Sequence, residues 1–388
     1  VARGRSSGSS PRRPSGPPRS TTPTRCPSGL PAATARGTTS PTCCPTGGRF
    51  SPRSSTTTRA KRDIILNWAL TYRQLFYNDG LTGARAGEPV RPIAESVSVD
   101  PSKVELGFAL YHDTRLSVDN TVSCATCHAL NTAGVDNKQY SEGVDGQKGG
   151  VNAPTSYNAV YNFVQFWDGR AATLADQAAG PPLNPVEMAS TSFDEIIAKL
   201  EADKQFKAAF EEVYPDGLTE ANITDAIEQF ERTLLTPNSA FDKYLRGDDS
   251  AITAEELRGY ELFKQYDCAT CHVGANLGGE SYELMGLRNH YFAERNMPLT
   301  EEDNGRFKVT QQERDRHRFK VPGLRNIELT WPYYHDGSRA TLEEAVRDMG
   351  KYQSGVELTS TEVAEITAFL KTLTGEYQGK KLTNDNKQ

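Results

Sequence analysis

The pentapeptide Cys-Ala-Thr-Cys-His occurs twice in the chain, at Cys124–His128 and Cys268–His272, 144 residues apart. Each copy sets two thiols two residues apart, with a histidine directly after the second. Thiols at this spacing can add to the two vinyl groups of one haem, and the histidine is then placed under the iron as an axial ligand. Two other chemistries use the same residue types. Two Cys-x-x-Cys pairs can make one four-thiolate zinc site, although zinc pairs usually lie closer in sequence and zinc has no need of a histidine in the same slot twice. A thioredoxin-like redox pair calls for one motif inside a βαβ pattern, and none is visible. The repetition points to two covalently attached haems c.

The second axial position of each iron then decides what each haem can do. A thioether there raises the reduction potential and closes the iron to substrates, whereas an open site can take peroxide. The methionines after the second motif are Met285, Met297 and Met349. A methionine on a helix is more often core filling than ligand, so residue type alone does not select one.

Helices must position these groups. Asp100-Pro101 reads as an N-cap followed by proline at the first helical position, opening a helix to about Tyr111. Ser192-Phe-Asp-Glu195 reads as a capping box ahead of Ile196, Ile197 and Leu200. Ile223, Ile227, Phe230 and Leu234 keep helical spacing behind Thr219. Thr253-Ala-Glu-Glu256, Thr341-Leu-Glu-Glu344 and Thr359-Ser-Thr-Glu362 open three more helices, the last closing near Gly375. Alternating strand patterns are scarce. The expected class is mainly α with little β: two cytochrome c-like haem domains, residues 60–238 and 239–388, each a helix, a haem motif, a long loop-rich wrap and a further helix. The boundary is placed near Thr236-Pro237-Asn238, and the C-terminal helix is a candidate to pack back on the first domain.

The 388 residues suffice for two domains with real cores. No apolar run approaches the ~20 residues that span a bilayer; Ile64–Leu70 is interrupted by Asn67. A soluble protein is expected. The net charge of −6 hides a split, because residues 1–60 hold ten arginines and no acidic residue. The rest carries 34 basic and 50 acidic groups, a net charge of −16. Such a body can steer a basic electron-transfer partner, or serve solubility alone. Residues 1–59, rich in Ser, Thr, Pro, Gly and Arg and carrying Cys26, Cys43 and Cys44, cannot bury enough surface to offset their ordering entropy. They also lack the apolar core of a secretory signal. Haem c is normally attached outside the cytoplasm, so a periplasmic location is expected with no signal peptide visible. Residues 1–59 therefore read as a low-complexity segment, either mis-translated or a disordered tail.

The chain also resembles the bacterial dihaem cytochrome c peroxidases, over about residues 95–376 and with both haem motifs in register. The resemblance is carried by Phe166-Trp167-Asp168-Gly169-Arg170, Asp176-Gln177-Ala178 and Asn184-Pro185-Val186-Glu187-Met188. It continues through Gly305-Arg306-Phe307, Leu324-Arg325-Asn326, Pro332-Tyr333-Tyr334-His335 and Val346-Arg347-Asp348-Met349-Gly350. It implies a peroxidatic haem on Cys124, Cys127 and His128, and an electron-receiving haem on Cys268, Cys271 and His272 with Met349 as its second axial ligand. It implies Glu187 over the peroxidatic haem with Phe166 and Gln177 nearby, and Trp167 between the haems. It also implies a calcium ion on Asn152 and on the carbonyls of Thr330 and Pro332. The implied substrate is hydrogen peroxide and the implied donor a small cytochrome c or blue copper protein, with a homodimer common in the family.

The chain departs from the family pattern at one place. Many such peroxidases carry a histidine on the loop after the first haem that blocks the peroxidatic iron until the other haem is reduced. Val144 stands at that position here, and no histidine lies between His128 and His272. The expectation is an enzyme that needs little or no reductive activation. His112, His290, His317 and His335 read as surface or propionate-contacting groups, with a structural role preferred for His335. Two other functions compete. Dihaem enzymes that mature a tryptophan-derived quinone on a partner protein resemble this chain but put tyrosine at the position of Met349. A dihaem electron carrier would have no use for Glu187 beside Phe166-Trp167.

Overall fold

The computed structural model describes residue 85 and residues 87–386. All of these belong to one unit of the chain, residues 54–388, and the expectations for residues 1–59 lie outside the described residues. Among the described residues, seven helices of eight or more residues carry the fold: α1 (Pro101–Tyr111), α2 (Phe193–Glu201), α3 (Lys204–Val213), α4 (Glu220–Glu231), α5 (Ala254–Gln265), α6 (Leu342–Met349) and α7 (Ser360–Lys371). One-turn helices form at Cys124–Cys127 and Cys268–Cys271. The strands among the described residues make two small antiparallel pairs, β1 (Tyr282–Leu284) with β2 (Arg318–Lys320) and β3 (Glu376–Tyr377) with β4 (Lys380–Lys381). The protein is mainly α, as its caps and periodicities imply.

The helix starts follow from side chains that satisfy otherwise unpaired N–H groups. Asp100 accepts from the Ser102 N–H, with Pro101 at the first turn. Thr253, Thr341 and Thr359 each accept from the N–H of the glutamate three residues on, which reaches back to the threonine N–H. At Ser192 the reciprocal half shifts by one residue. Ser192 accepts from the Glu195 N–H, but the Glu195 carboxylate takes the N–H and hydroxyl of Thr191 instead. The period behind Thr219 also overreaches. The helix stops at Glu231, and Leu234 is buried from the following turn. The last helix likewise ends at Lys371 rather than near Gly375.

Two helix pairs repeat one piece of geometry. α1 packs on α4, and α5 packs on α7. In the first pair Gly107 is pressed so close to α4 that a Cβ there would sit 1.9 Å from the Ala226 carbonyl oxygen and 2.8 Å from the Phe230 Cβ. In the second, a Cβ on Gly259 would sit 1.9 Å from the Glu365 carbonyl oxygen and 2.9 Å from the Phe369 Cβ. Each pair therefore crosses at a glycine, against a carbonyl and a phenylalanine one turn beyond it. Each precedes or follows one haem motif in sequence. The duplication legible in the pentapeptides extends to the helices that frame them.

The hydrophobic core is divided accordingly. One cluster gathers Leu106, Leu110, Ile196, Phe210 and Ile227; another gathers Phe241, Tyr260, Phe263, Val346 and Phe369. The flanking segments cross over. Val90, upstream of the first motif, joins the second cluster, while Leu382, near the end, packs with Tyr111, Ala133 and Tyr157 beside the first motif. The segment after α7 thus packs beside the first motif.

Candidate active site: two like motifs in unlike surroundings

The two pentapeptides fold alike. In each, the cysteines occupy one helical turn and the histidine ends it, its N–H bonded to the first cysteine's carbonyl. The His128 Nδ1–H donates to the Gly134 carbonyl at 3.1 Å, and the His272 Nδ1–H to the Leu277 carbonyl at 2.9 Å. A carbonyl partner fixes the tautomer and leaves Nε2 as the ligating nitrogen. Burial holds the His272 pKa below that of an ordinary histidine, which keeps that nitrogen unprotonated. Burial also pushes Cys124 up to about 12 and Cys127 and Cys268 up to about 11, so these sulfurs are thiols rather than thiolates.

The four-thiolate zinc alternative fails on geometry. Among the described residues, the group of three or more metal-binding side chains close enough to share an ion is Asp303, His335 and Asp336, with no cysteine in it. Arg295 already occupies that group, its guanidinium donating to Asp303 at 2.7 Å and to Asp336 at 2.9 Å. Burial alone would raise the Asp303 pKa, but hydrogen bonds from His335 and Arg295 hold it well below the usual carboxylate range. His335 itself is buried, with Nε2 2.9 Å from Asp303 Oδ1 and its ring stacked on Phe319. It is part of a buried ion network. His317 donates to the Asp303 carbonyl, and His112 to that of Phe108.

Around the second motif lies a cavity of about 480 Å³. Cys268, Cys271, His272 and Met349 all line it, together with Phe263, Leu342, Val346 and Leu370. Two thiols, a ligating nitrogen, a thioether and apolar walls in one cavity fit a covalently attached haem. Met349 is the last residue of α6, whose start is fixed by the Thr341 box and whose far end is pinned by an Arg339–Asp348 ion pair. The chain then makes a single π turn, Gly350–Ser354, a distortion common where a helix serves a site.

Around the first motif the neighbours differ. Glu187 is partly buried, and its charge is felt by Cys124, Cys127 and His128, which places the carboxyl beside the motif. Burial raises its pKa, partly offset by Arg170, His128 and the Asn184 side chain. Asn184 Nδ2 donates to Glu187 Oε1 at 2.6 Å and fixes the carboxyl's orientation. Arg170 lies flat on Phe166, 3.4 Å from the ring centre, and is held by Asp168. Phe166 therefore acts on Glu187 through the cation it carries. Gln177 is half-buried on the short helix Leu174–Ala178 and makes no hydrogen bond to Glu187 among the described residues. Val144 is buried in the first core, and its N–H donates to the Glu187 carbonyl at 2.8 Å. The position expected for a blocking histidine thus carries an apolar side chain on backbone that is bonded to the backbone of Glu187.

Trp167 lines the cavity and packs in a cluster with Met285 and Met349. Its indole N–H donates to the Asn152 carbonyl at 2.9 Å, and its carbonyl accepts from the Lys320 N–H at 2.8 Å. Asn152 is buried, with its N–H bonded to the His335 carbonyl and Nδ2 donating to the Lys138 carbonyl. Thr330 and Pro332 line the same cavity. Asn184 and Arg170 lie inside two of the motifs that carry the resemblance, yet nothing in their residue types marks them as neighbours of Glu187. Lys320 carries no sequence signal at all, since lysine normally signifies surface.

The fold and site define a mainly helical protein with two like Cys-x-x-Cys-His motifs in unlike surroundings. A family model described as di-haem cytochrome c peroxidase matches residues 101–250. The chain is 55% identical over 319 residues to the cytochrome c peroxidase Ccp of Escherichia coli, covering 82% of this chain and 68% of that protein. It is 47% identical over 316 residues to the cytochrome c551 peroxidase of Nitrosomonas europaea, covering 81% and 92%. A crystal structure of a MauG-like protein associated with microbial copper homeostasis superposes with a TM-score of 0.64 at 29% identity, covering 76% of this chain and 95% of that one. The chain belongs to the di-haem cytochrome c peroxidase family, and is an oxidoreductase of that family.

Proposed function

We propose that the enzyme reduces hydrogen peroxide to water with electrons from a small redox protein. They are received at the haem on Cys268, Cys271, His272 and Met349 and used at the haem on Cys124, Cys127 and His128. The observation that carries this reading is the asymmetry of two otherwise equal motifs: a methionine in the cavity of one, a partly buried carboxyl beside the other.

Each peroxide consumes two protons and two electrons and yields two waters. Haems held by Cys124, Cys127 and His128 and by Cys268, Cys271, His272 and Met349 would supply the two electrons, and the Met349 thioether would favour a higher potential at the second. The protein's own part at the first haem is the proton. Breaking the O–O bond heterolytically requires a proton to leave the inner oxygen and reach the outer one. A carboxyl held by Asn184, in a site partly shut from water, can accept it and return it. Trp167, tied at both its N–H and its carbonyl, offers a rigid aromatic path between the two sites. Asn152 Oδ1 and the Thr330 and Pro332 carbonyls are neutral oxygens of the kind calcium accepts and would hold that ion. Val144 supports an enzyme that is active in its oxidised form, because no side chain at that position can bind iron. A periplasmic setting follows from haem c attachment. The acidic body favours a basic donor, a small cytochrome c or a blue copper protein.

Glu187→Gln tests the central residue. We expect peroxide turnover to fall by about 10²–10⁴ while haem content and both potentials stay at wild-type values. Undiminished turnover would remove the role of Glu187, and would favour a simple electron carrier if wild-type turnover were also negligible.

A further inference from the structure

Lys320 is an unusual lining residue for an apolar cavity. It is 6% exposed, and it lines the cavity that holds His272 and Met349. Among the described residues its ammonium has no hydrogen-bond or ion-pair partner, and burial, with no acidic neighbour to offset it, depresses its pKa to about 8. Lysine is almost never buried without a partner, because the desolvated charge is costly. The other buried cation on these walls, Arg325, shows the contrast. Its guanidinium is spent on Asp242 at 2.8 Å, Ser239 Oγ, and the carbonyls of Ala275 and Arg91.

The backbone fixes where the ammonium sits. Lys320 is the last residue of β2, paired with Tyr282, and its N–H is bound to the Trp167 carbonyl. Phe319, stacked on His335, and Val321 line the same cavity on either side of Lys320 in the chain. The end of β2 therefore brings one unneutralised cation to this cavity.

We propose that Lys320 binds a propionate carboxylate of the haem attached at Cys268 and Cys271, and that its charge raises that haem's reduction potential. The inference rests on the two-haem reading above. A haem brings two carboxylates into a largely apolar cavity, and a buried carboxylate needs a cation or several donors. The ammonium supplies both. A positive charge beside the ring favours the form that carries the extra electron, so Lys320 adds to the effect of Met349 in making this haem the electron acceptor.

The test is an anaerobic redox titration of Lys320→Met, Lys320→Gln and Lys320→Arg, with covalent haem counted by intact mass. We expect Met and Gln to lower the equilibrium constant for reducing the second haem about tenfold, a shift of about −59 mV for a one-electron couple. Arg should hold it near wild type, and the first haem should be unmoved. The glutamine variant keeps a hydrogen-bond donor without the charge, so its result stands even if the methionine variant does not fold. A wild-type potential in a haem-replete Gln or Met variant overturns the proposal. Wild-type protein lacking a haem on Cys268 and Cys271 would instead overturn the functional reading beneath it.

Discussion

At the scale of single residues, ionisation behaviour is set by what each group is buried with. Glu187 and Glu231 are both carboxyls whose pKa burial raises, and the charge of each is felt at Cys124. Glu187 has Asn184, Arg170 and His128 to steady it. Glu231 has none of these. It is pushed up to about 8 by burial and by Glu228, and its Oε2 has no hydrogen-bond partner among the described residues. A raised carboxyl pKa means that the folded protein holds a proton the unfolded chain has lost, so stability falls as pH rises between the two values. The sign predicts that wild-type protein loses stability from about pH 5 to about pH 8, relative to Glu231→Gln, by on the order of a few kcal/mol. Denaturant unfolding of both proteins across that range checks it; parallel profiles would show that Glu231 is ionised in the fold. Peroxide turnover should carry a second signature. The base form of Glu187 is lost as pH falls through a pKa above the ordinary glutamate value, so the acid limb of kcat/KM should lie higher than an exposed glutamate would give.

At the scale of elements, the helices that frame the haem motifs were largely legible before any coordinates, because their starts are encoded by local chemistry. Thr253, Thr341 and Thr359 each sit three residues ahead of a glutamate, and each forms the reciprocal box. The errors have the same physical origin. Ser192 has a competitor one residue back in Thr191, and the period ending at Leu234 records burial rather than helical geometry. α3, with Asp203 as its cap, was missed altogether because it buries little beyond Phe210. The glycine crossings were invisible, since a lone glycine in a helix says nothing of what it faces. They yield a direct prediction. Gly259→Ala forces a methyl against the Glu365 carbonyl, so α5 and α7 must separate, at a cost of about 1–3 kcal/mol. Gly107→Ala should do the same to α1 and α4. Thermal unfolding with haem absorbance checks both, and the Gly259 variant should also loosen the methionine ligation, because α6 packs on α7. An unchanged melting profile in both would mean that the helices already have slack.

At the scale of the whole molecule, duplication was legible and inequality was not. The pentapeptides are identical, and the helix pairs around them cross at the same kind of glycine contact. What differs lies in the long wraps: Glu187 and Val144 meet at one motif through a backbone hydrogen bond, while Met349 and Lys320 reach the other from elements 29 residues apart. Such encounters are long-range, and no local pattern encodes them; only the family resemblance pointed to Glu187 and Met349, and nothing pointed to Lys320. The crossing segments at Val90 and Leu382 are of the same kind, tying each half to chain from the other end. On the proposed function, two equal motifs hold two unequal haems, and an anaerobic optical redox titration of the intact protein separates them. Two well-separated potentials are expected, with the upper one belonging to a low-spin haem ligated by histidine and methionine, and a ferric first haem that is high-spin and reacts with peroxide without prior reduction. A single shared potential, or two six-coordinate low-spin haems inert to peroxide until reduced, would contradict it.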